Sequence, residues 1–171
     1  PAGYVLADLE QGKGFVSDLL GGQAVRIEGD APWLAEAKLP VTENAARVIH
    51  ISPNRRTANT DELLVRPEQV AVWVERSSAD LLSELQQALQ ASNLATQSLA
   101  CLLAAPALMA NAELHAAAAQ LKLPLRFIDD AQQLPPLHSQ HANLRLLLAA
   151  APIDPSQLGR PRGRLSVIGL G

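Results

Sequence analysis

The stretch from Val70 to Phe127 constrains the fold most, because its apolar residues follow two alternating patterns. Three short apolar runs predict buried strands, and the two stretches between them carry apolar residues on one helical face. In order, the predicted elements are Val70–Val74, Leu81–Leu89, Ser98–Leu103, Leu114–Leu121 and Leu123–Phe127. Single helices between successive strands imply right-handed crossovers and a largely parallel sheet. The prediction is an α/β fold whose central unit is a βαβαβ sheet with helices on its faces.

Polar residues mark where the two helices of this unit begin. Ser77 and Ser78 predict the N-cap of the first helix, with Asp80 in the first turn, where the helix dipole favours a carboxylate. Asn111 predicts the cap of the second helix. Because Ser77 and Ser78 occupy a strand-to-helix turn, phosphate binding is the alternative to a simple cap.

The residues before Val70 predict a small α/β domain. Helical spacing runs from Val5 to Leu20 and ends at Gly21-Gly22. The remaining elements predicted here are a strand at Ala24–Ile27, a short helix through Trp33 and Leu34, and strands at Arg47–Ile51 and Glu62–Val65. Arg66-Pro67 is predicted to break the last of these strands.

The residues after Phe127 predict a connector to another domain. Leu134–His138 is predicted as a loop, and the apolar stretch Asn143–Ala151 fits either a strand or a helix. Pro- and Gly-rich sequence then predicts a linker, and Arg164–Ile168 predicts the first strand of a domain that continues further. The predicted divisions are 1–66, 67–150, 151–163 and 164–171.

Composition excludes several classes of function. The net charge of −3 and the scattered basic residues give no reason to expect nucleic acid. No apolar run is long enough to cross a membrane, and no signal peptide precedes Tyr4; the chain starts in mid-pattern, as if cut from a longer one. The single cysteine, Cys101, excludes an internal disulfide and is typical of a reducing compartment. We expect a cytoplasmic protein.

Three segments between Phe15 and Ile128 resemble the cobalamin-biosynthesis protein G family. They are Leu19–Asp30, which resembles a helix, Gly turn and strand of that family; Leu63–Pro67, which resembles its "L-R-P" sequence; and Leu121–Phe127, which resembles its "L-G-L-P-L-R-F" strand. Their order and spacing carry the resemblance, since no single segment is specific. The resemblance implies corrinoid chemistry, in which protein G opens the δ-lactone of cobalt-precorrin-5A and releases acetaldehyde.

The end of the chain resembles a second family of the same pathway. Residues 163–171 are similar to the first strand of the precorrin methyltransferases, which leads into a glycine turn at the S-adenosylmethionine site. The resemblance implies that Gly169 and Gly171 begin that cofactor loop. Together the two resemblances imply a protein-G-like region fused ahead of a precorrin-3B C17-methyltransferase. That domain, corrinoid intermediates and other pathway enzymes are the implied partners.

The sequence that follows the first two predicted strands of the central unit departs from the protein G pattern. The family's "G-I-G-C-R-R-G" is replaced by Val72–Ser78, which has no glycine and contains the bulky Trp73 and the acidic Glu75. The family's "A-T-I-D-L-K-A-D-E" is replaced by the largely apolar Leu103–Asn111. Parallel sheets bind ligands at the carboxyl ends of their strands. Loss of polar groups there predicts an accessory, docking or corrinoid-handling region, and the alternative is part of a cobalt-precorrin-5A hydrolase.

Few side chains qualify as site residues. Ser77, Ser78 and Arg126 are the candidates for substrate binding. The arginines available for corrinoid carboxylates are Arg26, Arg47, Arg55, Arg56 and Arg126, with scattered surface charge as the alternative. Cys101 is predicted to be buried and inert, and His115 to be solvated. The residues weighed as metal ligands are His138, His141, Asp129 and Asp130, but they lack a defined third ligand, so no metal is expected.

Overall fold

The computed structural model describes residues 3–36, 39–57 and 61–161. The described chain forms two mixed sheets with helices packed against them, which confirms the predicted α/β class. The predicted strand Arg164–Ile168, with Gly169 and Gly171, lies outside the described residues. The division into domains stays a prediction.

The first sheet has the strand order β1-β4-β3-β2. Strands β2, β3 and β4 run parallel, and β1 is antiparallel to β4. The elements are β1 (Tyr4–Leu6), α1 (Leu9–Leu20), β2 (Val25–Glu28), α2 (Pro32–Glu36), β3 (Arg47–Ile51) and β4 (Glu62–Pro67). Phe15 and Leu19 of α1 pack against the sheet on one face.

Two predictions for this sheet are wrong at its edge. Val5 and Leu6 were expected to be helical but form β1, because Asp8 caps α1 and the residues before it pair with β4. Arg66-Pro67 does not break β4, since Val5 pairs with Arg66 and Tyr4 with Pro67. The predicted stop at Gly21 is confirmed.

The second sheet has the strand order β7-β6-β5-β9-β8. Its elements are β5 (Val70–Val74), α3 (Leu81–Ala91), β6 (Leu99–Ala104), α4 (Ala112–Leu121), β7 (Leu125–Phe127), β8 (Leu137–His141) and β9 (Leu144–Leu148). Strands β5, β6 and β7 are parallel, as predicted. Strand β9 is antiparallel to β5, so the stretch 143–151 forms a strand rather than a helix. The loop predicted at 134–138 is wrong at its end, where β8 begins.

Alternating residues of β5 divide the core of the second sheet between its two faces. Val70, Val72 and Val74 face both helices, α3 and α4, whose buried residues belong to the same cluster. Ala71 and Trp73 face the opposite side, which irregular chain covers through Ile153 and Leu158. Ile153 and Leu158, which follow β9, thus pack against the sheet. Within the described part of the chain, every helix is too short or too polar to cross a membrane.

Candidate functional site

The turn after β5 directs its serine side chains toward the protein. Ser78 Oγ donates to Glu84 Oε1 at 3.1 Å, and Ser77 Oγ is buried without a hydrogen-bond partner among the described residues. The predicted cap is wrong: the N-cap of α3 is Asp80, whose side chain makes no capping hydrogen bond. A carboxylate beside Ser78 disfavours an anion at this turn, because like charges repel.

The turn after β6 is closed by apolar packing. A short 3-10 turn at Pro106–Leu108 places Leu108 and Met109 against the core. His115 is half-buried, its Nε2 donates to the Met109 carbonyl at 2.6 Å, and its ring lies 6.0 Å from that of Phe127. The prediction that His115 is solvated is therefore wrong. Asn111 caps α4 as predicted, since its side chain accepts from Leu114 N at 2.9 Å.

Arg126, the third predicted substrate ligand, binds the chain that follows β9. Its Nε donates to the Leu158 carbonyl at 2.7 Å, and its Nη2 donates to the Gly159 carbonyl at 2.9 Å. The structure therefore does not bring Arg126 together with Ser77 and Ser78 around a common hydrogen-bonded group. Substrate binding by these three residues stays a prediction.

Cys101 is fully buried in β6, as predicted. Burial raises the pKa of its thiol to about 12, although the charge of Arg126 opposes that shift. The thiolate that a nucleophile needs is therefore absent at neutral pH.

The residues weighed as metal ligands do not gather. Asp129, Asp130 and His138 are exposed, whereas His141 lies in a hydrogen-bonded group with two serines. Its Nε2 is 2.9 Å from Ser92 Oγ, which is 2.7 Å from Ser139 Oγ. The described residues contain no group of three or more His, Cys, Asp or Glu side chains that could hold a metal ion.

A cleft of about 560 Å³ opens instead at the carboxyl edge of the first sheet. Its lining comes from the turn after β3, from β4, and from the segment that leads into β6. We call it the arginine cleft, lined by Arg55, Arg56, Thr57, Arg66, Ala95, Thr96 and Gln97. Its lining therefore comes from both sides of the boundary between the two sheets, where the main chain of Arg55 donates to the Asn93 carbonyl at 3.0 Å.

Arg66 forms the buried part of this cleft. It is 4% exposed and lies on the same face of β4 as Glu62. Its guanidinium donates to the backbone carbonyls of Ser52, Asn54 and Arg56, which holds the turn after β3 in place. Its Nε is buried without a hydrogen-bond partner among the described residues.

The other arginines weighed as corrinoid ligands divide into two groups. Arg26 and Arg47 pair with carboxylates away from the cleft: Arg26 with Glu28 of β2 at 3.2 Å and Arg47 with Asp18 of α1 at 2.6 Å. Arg55 and Arg56 line the cleft with Arg66, a residue that was not predicted to belong to a site. The available signal was an arginine that directly follows the apolar run Leu63–Val65.

Comparisons with known proteins leave the family open. No protein-family model matches the sequence, and no curated protein matches it significantly. A solved structure with some similarity is that of a cobalamin biosynthesis protein G homologue from Sulfolobus solfataricus, with a TM-score of 0.31 and 10% sequence identity. The match covers 74% of this chain and 40% of that one, so this chain spans well under half of that protein's length. So low a score establishes neither a shared fold nor a shared function.

Proposed function

We propose that this chain is an accessory region of a cobalamin-biosynthesis fusion protein in the cytoplasm. It lies beside a precorrin-3B C17-methyltransferase in that protein. There it binds to the methyltransferase or binds and passes on a corrinoid intermediate, and it catalyses no reaction itself. S-adenosylmethionine would serve the methyltransferase, through residues that include Gly169 and Gly171, outside the described part of the chain. The proposal rests on the sequence resemblance and on the second sheet, since the distant structural neighbour adds no weight.

The observation that carries the proposal is the carboxyl edge of β5 and β6. This is the edge at which a parallel sheet ordinarily holds its ligand. Here Ser78 is bonded to Glu84, and Leu108 and Met109 pack on the core. The edge retains the core packing of a ligand-binding sheet, while a hydrogen bond to Glu84 and apolar packing occupy Ser78, Leu108 and Met109. Ser77 Oγ is the hydroxyl of this turn that has no partner among the described residues.

The test compares the full-length parent protein with a version lacking residues 1–161. We expect both to release no acetaldehyde from cobalt-precorrin-5A, and the shortened version to methylate precorrin-3B several-fold more slowly. Adding residues 1–161 as a separate chain should restore part of the rate. Acetaldehyde release by the parent that disappears on truncation would overturn the proposal.

One observation favours the alternative, in which the chain forms part of a cobalt-precorrin-5A hydrolase. The 2.9 Å separation of Ser92 Oγ from His141 Nε2 allows the imidazole to accept the hydroxyl proton, which activates a serine for acyl transfer. Ser92→Ala should then abolish acetaldehyde release. Ser92 caps the C-terminus of α3, and Ser83→Ala on the exposed side of α3 is the matched control. Equal release by both variants excludes this role for Ser92.

A further inference from the structure

The arginine cleft has an excess of positive charge. Within residues 3–36, 39–57 and 61–161, no carboxylate forms an ion pair with Arg55 or Arg66. Arg56 alone is paired, through its Nη2 and Glu62 Oε2 at 2.5 Å. Among the described residues, the three guanidinium groups of the cleft are therefore accompanied by one ion-paired carboxylate, that of Glu62, which binds Arg56.

The charge of Arg66 is held in place and poorly satisfied. Arg66 is almost fully buried, yet the partners of its guanidinium are neutral backbone carbonyls. Its Nε has no hydrogen-bond partner among the described residues. Burial, followed by the charge of Arg56, lowers the pKa of the Arg66 guanidinium. Buried donors in native folds nearly always have a hydrogen-bond partner, so an acceptor that reached Arg66 Nε would be stabilised there.

Arg55 leaves its terminal nitrogens available at the mouth of the cleft. Its Nε donates to the Leu94 carbonyl at 2.9 Å, which fixes the side chain across the boundary between the two sheets. The Thr57 and Thr96 hydroxyls add neutral donors around the same space. The Gln97 Nε2 already donates to the Ala7 carbonyl at 3.1 Å.

We propose that the arginine cleft binds a small-molecule polyanion whose carboxylate or phosphate groups bridge Arg55 and Arg56. Guanidinium groups form short, bidentate hydrogen bonds with both kinds of anion. Arg66 supplies a fixed positive charge behind them. The volume of about 560 Å³ suits a small molecule rather than a polymer.

This inference does not rest on the proposed function. The cleft lies at the carboxyl edge of the first sheet, whereas the accessory role is argued from the second sheet. A polyanion bound here would join the turn after β3 to the segment 93–97, and so would stabilise the two sheets against each other.

The test is isothermal titration calorimetry of the whole chain with citrate and, separately, with pyrophosphate, at low ionic strength and neutral pH. We expect saturable binding of at least one probe, and the tighter one identifies the carboxylate or phosphate class. Arg55→Gln and Arg56→Gln should each weaken that binding about tenfold or more, since each removes a charge-assisted contact. Arg76→Gln is the matched control, because Arg76 is exposed after β5 and should change binding less than about twofold.

Glu62→Gln gives a result in the opposite direction. It removes the one carboxylate that competes for Arg56, so binding should tighten by about threefold or more. A gain in affinity cannot come from unfolding, which circular dichroism would report for all variants. Failure of both probes to saturate, an equal loss in Arg76→Gln, or weaker binding by Glu62→Gln would each overturn the proposal.

Discussion

The two sheets end differently at their carboxyl edges. At the carboxyl ends of β3 and β4, Arg55 and Arg66 line a cleft with unneutralised positive charge. Past β5 and β6, Ser78 binds Glu84 and Met109 packs on the core. Both edges have the parallel arrangement that leaves room for a ligand, and among the described residues the first edge combines a cleft with an excess of positive charge. Topology therefore locates candidate edges, and the residues in the turns decide whether an edge is equipped to bind.

The largest expected effect comes from Arg66→Met. The substitution keeps the stem but removes the donors that hold the carbonyls of Ser52, Asn54 and Arg56, so we expect a loss of about 3 kcal/mol in unfolding free energy. Urea denaturation measures it, and the exposed Arg76→Met should change stability by less than about 0.5 kcal/mol. A loss as small as the control's would show that the cleft does not depend on Arg66 for its shape.

Arg126→Gln tests the arginine of the second sheet in the same way. It removes the bonds to the Leu158 and Gly159 carbonyls, and we expect a loss of about 2 kcal/mol. Because Arg126 is half exposed, water replaces part of what is lost. Hydrogen exchange should show faster opening of residues 156–160, with β5 unchanged. If citrate or pyrophosphate binding fell as well, the contrast between the two edges would be wrong.

Cys101 provides a pH-dependent test of how fully the core of the second sheet excludes water. Its pKa is raised to about 12 in the folded chain, against 9.0 for the unperturbed thiol. Stability is therefore complete below pH 9.0 and falls as pH rises toward 12, by about 1 kcal/mol at pH 10. Urea denaturation from pH 7 to 10 should show a shallower decline for Cys101→Ala. Identical slopes would mean that the thiol is solvated.

The smallest effects distinguish the two helices that follow this edge. Asn111→Ala removes a real cap on α4 and should cost about 1 kcal/mol. Asp80→Ala removes a residue at the N-cap of α3 that makes no capping bond, and should cost less than about 0.5 kcal/mol. Thermal unfolding of the two variants compares them directly. The reverse order would mean that Asp80, and not Ser78 or Glu84, holds the turn after β5.

Elements with one clear pattern were predictable. Strand β5 lies where its apolar run predicted it, and α4 has the predicted cap and inner face. In both elements, the spacing of apolar residues along the sequence matches the face that is buried. Strand β1 was missed because Val5 and Leu6 continue the spacing of α1, and only their pairing with β4 makes them extended. Strand β8 was missed because it is polar and is held by β9.

The arginine cleft could not be predicted from the spacing of residues along the sequence. Its lining comes from the turn after β3, from β4 and from the segment before β6, and no spacing in the sequence joins them. The sequence offers Arg55 and Arg56 as ligands for carboxylates, but it predicts a strand break at Arg66. Its burial depends on carbonyls from the turn after β3, which are contacts that only the tertiary structure makes.

The chain around Gly159 covers part of the outer side of β7. Arg160 exchanges backbone hydrogen bonds with Phe127 at 2.7 and 3.1 Å, so the border strand of the second sheet is partly covered. Gly159 has a φ of +51°, and any Cβ there would collide with the Phe127 carbonyl. A larger residue would push this covering away and leave unpaired amides as a template for another chain. Resistance to strand-to-strand aggregation at this border therefore depends on a single hydrogen atom in place of a side chain.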